Sequence, residues 1–399
     1  MPASPTGHSP DVQQLVADGY AVTIDGDYII VDNIPYVTQA RVVQRGAIIS
    51  PFYEKDGVTD VKGDHAVWFT GSVPYNAKGE SLASAMVANT TVAVIAGRQV
   101  LCQFSYKSER PETLKDFHAK LTHYIRKLQS YAQELEHGVS ASSKGNGSIA
   151  VRQQRSVFIY SNTAVARSGL DVYENKLKLP KVAIIGLGGT GSYILDALAK
   201  TPVEAIHLYD DDIVEPATAY RMPGAPTYEE AYGKLQKTNY LKDVYSRLRT
   251  GIESHPVRID QTNVAELNDC AFVFIAIDDG PSRGLISRYL AEKSIPFIDT
   301  GIGVDKLSDE VKLLGRIRVS AVDAGKSVLV DRLPTADDRE EAVYNNIQLA
   351  ELNALNAMLA VIVYKQRLNF YANEESFDTL RYNISWQSIL RIGESPASP

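Results

Sequence analysis

Cysteine and long apolar runs are both scarce in this sequence. Its 399 residues include two cysteines, Cys102 and Cys270, which are too few for a disulfide framework or a four-thiolate zinc site. Residues 1–10 contain neither a basic region nor an apolar run, and no apolar stretch reaches the roughly 18 residues of a membrane span. We therefore expect a cytoplasmic protein without structural zinc, a secretion signal or a membrane span.

Positive charge is also in the minority. The chain has 41 Lys and Arg against 48 Asp and Glu, a formal net charge of -7, and such a field repels nucleic acids and anionic membranes. Neither is an expected partner, although a small polyphosphate needs only a local nest of donors. The 44% hydrophobic and 22% charged content is typical of a globular chain, and the length favours two domains.

The first 137 residues predict a smaller α+β domain. Short β-rich runs separated by turn residues extend over 19–104. Over 111–137 the apolar residues recur at helical spacing, which predicts one long amphipathic helix. The Ser/Gly-rich run 138–150 predicts a flexible linker. We interpret 1–137 as a recognition domain for a carrier protein or a conjugating enzyme.

Residues 151–399 alternate apolar runs with amphipathic stretches, which predicts a Rossmann-like α/β domain with a mostly parallel sheet and helices on both faces. The expected strands are 182–185, 205–209, 272–277, 297–299 and 313–319, and the helices between them are 192–200, 234–248 and 282–293. Near the C-terminus an apolar stripe has three- and four-residue spacing and consists of Leu352, Leu355, Leu359 and Ile362. The stripe is typical of core packing, and the alternative is the seam of a homodimer.

The strand at 181–185 leads into a glycine loop and then into a helix, a context that favours phosphate binding at the helix N-terminus. In this loop Gly186 suits a tight turn, Gly188 lets the chain approach a phosphate, and Gly191 lets the helix pack on the strand. Asp210 follows Gly191 by nineteen positions, where a carboxylate can accept hydrogen bonds from a ribose. These features indicate a nucleotide, and an NAD(P)-dependent oxidoreductase fits them equally well.

The doubled glycine Gly188-Gly189 and the charged residues that follow resemble the ThiF/MoeB-like adenylating enzymes, which include the activating enzymes of ubiquitin-like proteins. The resemblance covers about 167–319, with a further match at 345–356. It implies a nucleotide site formed by Gly186, Gly188, Gly189, Gly191, Asp210, Asp212, Arg221, Lys237 and Asp278. Thr218 departs from the pattern, because it stands where the family has an asparagine. Asp211 is the alternative to Asp212, and Lys234 the alternative to Lys237.

The resemblance also implies ATP and Mg²⁺ as cofactors. Arg221 and Lys237 would neutralise the charge that develops when a carboxylate attacks the α-phosphorus, and Asp278 would hold the Mg²⁺. Arg167, before the first strand of the domain, matches a further arginine of the family. The alternative is that Asp278 has no functional role and is the N-cap of the helix that follows. A hydride-transferring enzyme has no need of these cations, because its chemistry breaks no polyphosphate.

The expected reaction is therefore adenylation of the C-terminal carboxylate of a ubiquitin-like or sulfur-carrier protein. Relatives that form a thioester carry a reactive cysteine downstream of the nucleotide site, and here no cysteine follows Cys270. Cys270 and Cys102 both lie in apolar runs, typical of inert packing, so we favour direct transfer of the adenylate over an ester on a hydroxyl. The layout resembles activating proteins of bacterial ubiquitin-like conjugation operons. The alternatives are an NAD(P)-dependent oxidoreductase and a non-catalytic nucleotide-binding subunit of a heterodimer.

Overall fold

A computed structural model describes residues 9–55, 57–61, 65–105, 114–143, 145–152, 156–160, 162–168, 170–307, 311–335, 347–374 and 377–393. The chain divides into two compact units. The first consists of Met1–Ser156 and Ser161–Val172, and the second of Val157–Tyr160 and Tyr173–Pro399.

The described part of the first unit contains a seven-stranded sheet in the order β7-β8-β6-β3-β2-β1-β9, with a separate β4-β5 pair. Its strands are β1 (Ala21–Asp25), β2 (Tyr28–Val37), β3 (Val43–Pro51), β4 (Glu54–Lys55), β5 (Val58–Thr59), β6 (Val67–Phe69), β7 (Val87–Ile95), β8 (Arg98–Phe104) and β9 (Ser148–Arg152). The helices up to the boundary between the units are α1 (Pro10–Ala17), α2 (Ala83–Met86), α3 (Phe117–Leu135), α4 (Thr163–Ser168) and α5 (Asp171–Glu174). Every pairing in this sheet is antiparallel except that of β1 with β9.

Helix α3 is the long amphipathic helix that the sequence predicts, but it is shorter at both ends. It begins at Phe117, because the Asp116 side chain accepts a hydrogen bond from the Ala119 N–H at 2.7 Å and caps the helix. Residues 111–113 of the predicted helix lie outside the described residues. Leu121, Ile125 and other apolar residues of one face are buried in the core of this unit.

The run 138–150, predicted as a linker, differs in the structure. Val139 and Ala141 are buried, and the Ser143 N–H donates to the Gly19 carbonyl at 2.9 Å. From Ser148 the chain forms β9, which pairs in parallel with β1. The run therefore extends the first unit instead of separating two domains. Its Ser/Gly composition gave no sign of this, because the pairing is supplied by the backbone of β1.

The described part of the second unit contains an eight-stranded sheet in the order β12-β11-β10-β13-β14-β15-β16-β17. Its strands are β10 (Lys181–Ile185), β11 (Ala205–Tyr209), β12 (Ile252–His255), β13 (Phe272–Ile275), β14 (Phe297–Leu307), β15 (Lys312–Val322), β16 (Thr379–Asn383) and β17 (Ser388–Ile392). Its helices are α6 (Gly189–Leu198), α7 (Pro216–Ala219), α8 (Tyr228–Tyr232), α9 (Lys237–Tyr245), α10 (Gly280–Glu292) and α11 (Ala350–Arg367), with 3-10 turns at Asn175–Leu177, Val264–Leu267 and Ser327–Arg332.

Strands β10 to β14 run parallel, and β15 to β17 continue the sheet antiparallel. The chain proceeds from β10 to β11 and β12 on one side, then returns to place β13 and β14 on the other side. The strand order thus reverses between β10 and β13, the position where parallel α/β sheets bind ligands at their carboxyl edge.

Both faces of this sheet are covered, which confirms the predicted Rossmann-like fold. Val182 and Ile184 of β10 belong to one apolar core, which includes residues of α6 and α11. Ala183 and Ile185 belong to another core, which includes residues of α10. Successive residues of β10 therefore belong alternately to the two cores, and all of them are apolar from Val182 to Ile185, as expected of a central parallel strand.

The C-terminal apolar stripe lies on α11 and is only partly core. Leu352 is buried, and Leu355 and Leu359 are partly buried against its cluster, whereas Ile362 is 43% exposed. Positions 345 and 346 of the family match lie outside the described residues. Among the helices of the described ranges, none combines the length and the apolar content needed to cross a membrane.

Candidate functional site

The glycine loop joins β10 to α6 at the carboxyl edge of the parallel strands. Gly186 has a φ of +85°, and a Cβ at this position would collide with the Ala276 carbonyl and the Ile277 side chain. Only glycine fits here without strain. Gly188, in contrast, has open space where a Cβ would lie, so a ligand can approach the backbone closely.

Two further glycines let helices approach the loop. A Cβ at Gly191 would collide with the Gly186 carbonyl, and one at Gly189 would collide with the Asn353 side chain on α11. The Thr190 hydroxyl donates to the Asn353 side-chain oxygen at 2.9 Å. Asn353 is a supporting residue that the residue-by-residue prediction missed, although it lies within the matched segment 345–356.

Asp210 follows β11 and is held against the glycine loop. One carboxylate oxygen accepts the Leu187 N–H at 2.5 Å, and the other accepts the Asp212 N–H at 2.9 Å. The side chain is 8% exposed. Burial raises the pKa of Asp210, while Lys237 and the two N–H donors oppose the rise. The loop and this carboxylate therefore form one hydrogen-bonded unit.

Lys237, the first residue of α9, joins the same unit. Its Nζ lies 2.6 Å from Asp212 and 3.5 Å from Asp210, and its side chain is 5% exposed. The Lys237 N–H donates to the Asp212 carbonyl at 3.0 Å. Lys234, the alternative lysine, is exposed and lies before the helix. The geometry thus brings Lys237 to the aspartates.

Asp210, Asp211 and Asp212 have carboxylate oxygens within 4.8 Å of one another, the one such group found in the described ranges. Asp278 is not a member of this group. Carboxylate oxygens are ligands that Mg²⁺ accepts. Lys237 already neutralises part of this cluster, so these three residues are not by themselves an assigned metal site.

Arg221 lies in the segment between Asp212 and Lys237, just after α7. Its N–H donates to the Thr218 carbonyl at 3.0 Å, and Thr218 itself is buried. The Arg221 Nε is buried and has no hydrogen-bond acceptor within the described part of the chain. A buried guanidinium donor without an acceptor fits an anionic ligand, because buried donors are otherwise almost always paired.

Asp278 lies between β13 and α10 and is exposed. The helix cap is its neighbour: Asp279 accepts the Ser282 N–H at 2.8 Å and pairs with Arg258 at 3.0 Å. The interpretation of Asp278 as the N-cap therefore does not hold. Ala276 and Ile277, directly before Asp278, are the residues that lie against Gly186. Asp278 thus follows a segment in contact with the glycine loop.

Arg167, the remaining predicted site residue, lies on α4. Its side chain is outside the described part of the chain, and α4 belongs to the first compact unit. Arg167 therefore stays a prediction.

A buried charge cluster that the sequence analysis missed supports the end of β13. Asp299 on β14 is fully buried and pairs with Arg283 at 2.9 Å and with Arg318 at 2.6 Å. Arg283 also donates to the Ile277 carbonyl, so the cluster fixes the segment before Asp278. Its signal was an aspartate within the apolar run of a predicted strand, which needs a buried cation nearby.

Replacing Asp299 with alanine should destabilise the fold by about 3–5 kcal/mol, because the buried Arg283 and the partly buried Arg318 lose their counter-charge. Urea unfolding of the intact chain measures the change. Asp305→Ala is a matched control on the same strand, because Asp305 is 51% exposed and pairs only with the exposed Arg316 among described residues. The control should change stability by less than about 0.5 kcal/mol. Equal effects of the two substitutions would contradict the role of the cluster.

Both cysteines are free and buried. Burial raises the pKa of the Cys270 thiol to about 11, and it also raises the pKa of the Cys102 thiol. A reactive cysteine needs an accessible thiolate. The predicted packing role of these two thiols therefore agrees with their surroundings.

The strand, glycine loop and helix at the reversal of strand order, with Asp210 bound to the loop, define a nucleotide-binding protein of the Rossmann-like class. The chain belongs to the ThiF family, whose model matches residues 160–383. Residues 10–163 match DUF6791, a domain of unknown function.

Two curated proteins are similar to this chain in sequence. The chain is 30% identical over 117 residues to "Adenylyltransferase and sulfurtransferase UBA4" of Eremothecium gossypii, covering 29% of this chain and 25% of that protein. It is 23% identical over 210 residues to "Ubiquitin-like modifier-activating enzyme 5" of Rattus norvegicus, covering 48% of this chain and 52% of that protein. The chain thus spans between a quarter and about half of the length of these relatives.

Similar solved structures include E. coli MccB with ATP and PaaA. The MccB structure has 17% identity and a TM-score of 0.44, covering 59% of this chain and 69% of that chain. PaaA has 16% identity and a TM-score of 0.46, covering 69% of this chain and 83% of that chain.

Proposed function

We propose that this protein uses ATP and Mg²⁺ to adenylate the C-terminal carboxylate of a ubiquitin-like or sulfur-carrier protein. The observation that carries the proposal is the unit formed by the glycine loop, Asp210, Asp212 and Lys237 at the carboxyl edge of the sheet. Membership of the ThiF family supports it. So do the names of the two relatives, one an adenylyltransferase and the other an activating enzyme.

Each residue of the unit has a part in this proposal. The loop N–H groups and the N-terminus of α6 bind the phosphates, and Asp210 accepts the ribose hydroxyls. Lys237, which Asp212 and Asp210 hold beside the loop, would interact with a phosphate, as would the Arg221 Nε, for which the described residues supply no acceptor. Asp278 would hold Mg²⁺, which when bound supplies Lewis-acid stabilisation of charge on the phosphates.

The proposed reaction is a substitution at the α-phosphorus. A carboxylate oxygen of the partner forms a bond to this phosphorus, the bond to the bridging oxygen of pyrophosphate breaks, and pyrophosphate takes that electron pair. No net proton transfer is needed. Arg221 and Lys237 stabilise the negative charge that increases at the phosphates during the attack.

The steps around the adenylation are further parts of the proposal. Since both cysteines are buried, we infer direct transfer of the acyl-adenylate to a sulfur donor or a partner enzyme, without a conventional catalytic cysteine. The first unit would recognise the carrier or a conjugating enzyme. A cytoplasmic homodimer is the form in which we propose that the protein acts.

The decisive assay is exchange of labelled pyrophosphate into ATP, with a panel of ubiquitin-like and sulfur-carrier proteins that end in glycine. Exchange that depends on one of them, and that falls at least about tenfold in Arg221→Ala, supports the proposal. Binding of a nicotinamide cofactor with no effect of Arg221→Ala would identify an NAD(P)-dependent oxidoreductase instead. Tight ATP binding without exchange for any panel member would indicate a non-catalytic nucleotide-binding subunit.

A further inference from the structure

A pocket on the antiparallel end of the eight-stranded sheet lies outside the proposed nucleotide site and shares Arg318 with the Asp299 cluster. It lies where β15 and β16 meet the 3-10 turn Ser327–Arg332. We call it the arginine pocket, and its polar lining consists of Arg318, Ser320, Arg332, Asp378, Thr379 and Arg381.

The cations of the arginine pocket are only partly neutralised. Arg318 is paired with the buried Asp299. Arg332 and Arg381 are exposed, and neither forms an ion pair with any residue in the part of the chain that the structure describes. Because both side chains are exposed, an anion from solvent can reach their guanidinium groups.

The charged side chains in and behind the arginine pocket are mainly positive, although the whole chain has a negative net charge. Arg318, Arg332 and Arg381 line the pocket together with Asp378, and behind it Arg318 and Arg283 share the buried carboxylate of Asp299. These six side chains together carry two net positive charges, whereas the formal net charge of the chain is -7. Guanidinium groups bind carboxylates well, because their planar donors match two oxygens.

The register of the sheet relates this pocket to the glycine loop. One row of paired residues crosses five strands and consists of Ile185, Ile275, Asp299, Ser320 and Thr379. Gly186 is the next residue after this row on β10. Gly301, which lies after the row on β14, pairs in register with Arg318, and Arg318 pairs with Arg381 on β16. Because β10 and β14 run in the same direction, the arginines and the loop lie beyond the same edge of the row.

The spacing of the strands gives the distance between the glycine loop, which follows β10, and the arginines on β15 and β16. Three strand intervals lie between β10 and β15, and four between β10 and β16. At about 4.8 Å per interval, the separation is about 14–19 Å. An extended chain advances about 3.3 Å per residue, so about four to six residues span this distance.

We propose that the arginine pocket binds a side-chain carboxylate in the tail of the substrate protein, about four to six residues before its terminal carboxylate. The inference rests on the proposed adenylation, which requires the terminal carboxylate to reach the phosphates near the glycine loop. The tail would then lie along the carboxyl edge of the sheet, with its acidic residue at Arg332 and Arg381. The proposed substrates are therefore carrier proteins with an acidic residue about four to six residues before the terminal carboxylate.

The test uses synthetic peptides as probes. Fluorescent decapeptides that end in Gly-Gly carry one glutamate at successive positions from the carboxyl end, and a matched series carries glutamine. Binding to the full chain is measured by anisotropy. We expect glutamate at the predicted positions to bind about tenfold more tightly than glutamine. Arg332→Gln and Arg381→Gln should each reduce this preference, and neither residue belongs to the proposed nucleotide site.

The matched control is Arg316→Gln. Arg316 is an exposed arginine on β15 that does not line the pocket, so its replacement should keep the preference for glutamate. Equal affinity of the two series, or no binding of either, overturns the inference. Binding of inorganic phosphate alone in the micromolar range, lost in Arg381→Gln, also overturns it, because the pocket would then be a phosphate site.

Pyrophosphate exchange with the same peptides separates this inference from the proposed function. A preference for glutamate without exchange would support the arginine pocket as an acidic-tail site and contradict adenylation. Exchange at equal rates with glutamate and glutamine peptides would support adenylation and contradict the pocket's role. Faster exchange at limiting peptide concentration with glutamate at the predicted positions supports both.

Discussion

We expect that replacing Asp278 with alanine will lower the rate of carrier-dependent pyrophosphate exchange by about 10²- to 10³-fold, the scale for losing one electrostatic contact to the transition state. Asp278 is exposed beside the segment that contacts Gly186. Its carboxylate is the proposed Mg²⁺ ligand, and the helix cap is supplied by Asp279. The substitution should therefore reduce activity with little loss of stability. Initial exchange rates and urea unfolding of the same preparation measure both effects.

Asp279→Ala is the matched control for this prediction. It removes the side chain that caps α10 and pairs with Arg258, so it should cost about 1 kcal/mol of stability. Its exchange rate should stay close to that of the wild type. If Asp279→Ala removed exchange and Asp278→Ala kept it, the assignment of the two aspartates would be reversed.

Lys237→Ala should lower the exchange rate by about 10²-fold and also destabilise the fold. Its Nζ compensates Asp210, which is 8% exposed. Loss of a buried partner costs up to about 3–5 kcal/mol. We expect about 2–3 kcal/mol at neutral pH, because Asp212 is 70% exposed and solvent screens the pair. Lys234→Ala removes an exposed lysine three residues earlier and should change neither quantity.

The stability cost of Lys237→Ala should shrink on acidification. Burial raises the pKa of Asp210 and Lys237 opposes the rise. A carboxyl with a raised folded-state pKa contributes stability below its unfolded-state pKa, and this contribution is lost as the pH rises through the folded-state value. Without Lys237 the folded-state pKa of Asp210 is higher still, so its contribution to stability is lost at a higher pH. Urea unfolding of both proteins between neutral pH and the ordinary pKa of 3.8 measures the trend, and a cost independent of pH would contradict it.

The order of elements in the second unit was predictable, because each strand and helix there has a local pattern. The strand at Lys181–Ile185 and the glycine loop agree with the prediction. The antiparallel continuation after β14 was not predicted in full. Strands β16 and β17 follow a long helix, and no local pattern states which edge of the sheet they join.

The first unit shows more clearly that local sequence patterns do not reveal which strands pair. Alternating runs predicted its β-rich character, and the spacing of apolar residues predicted α3. The strand β9 escaped prediction, because its short alternation of Ile149 and Val151 directly follows a Ser/Gly-rich run and is too short to indicate a strand by itself. Its pairing with β1 comes from backbone hydrogen bonds, whose donors and acceptors are present on every residue except proline, which lacks the N–H.

The nucleotide-binding class follows from the amino-acid sequence alone, because a glycine loop between a strand and a helix restricts residue types at fixed spacing. The sequence also placed Asp210, Arg221 and Lys237 in order along the chain. Packing in three dimensions was needed to show which lysine contacts the aspartates, which aspartate caps α10, and which arginines pair with the buried Asp299. These outcomes depend on distances between residues far apart in sequence, and such distances are set by how strands and helices pack.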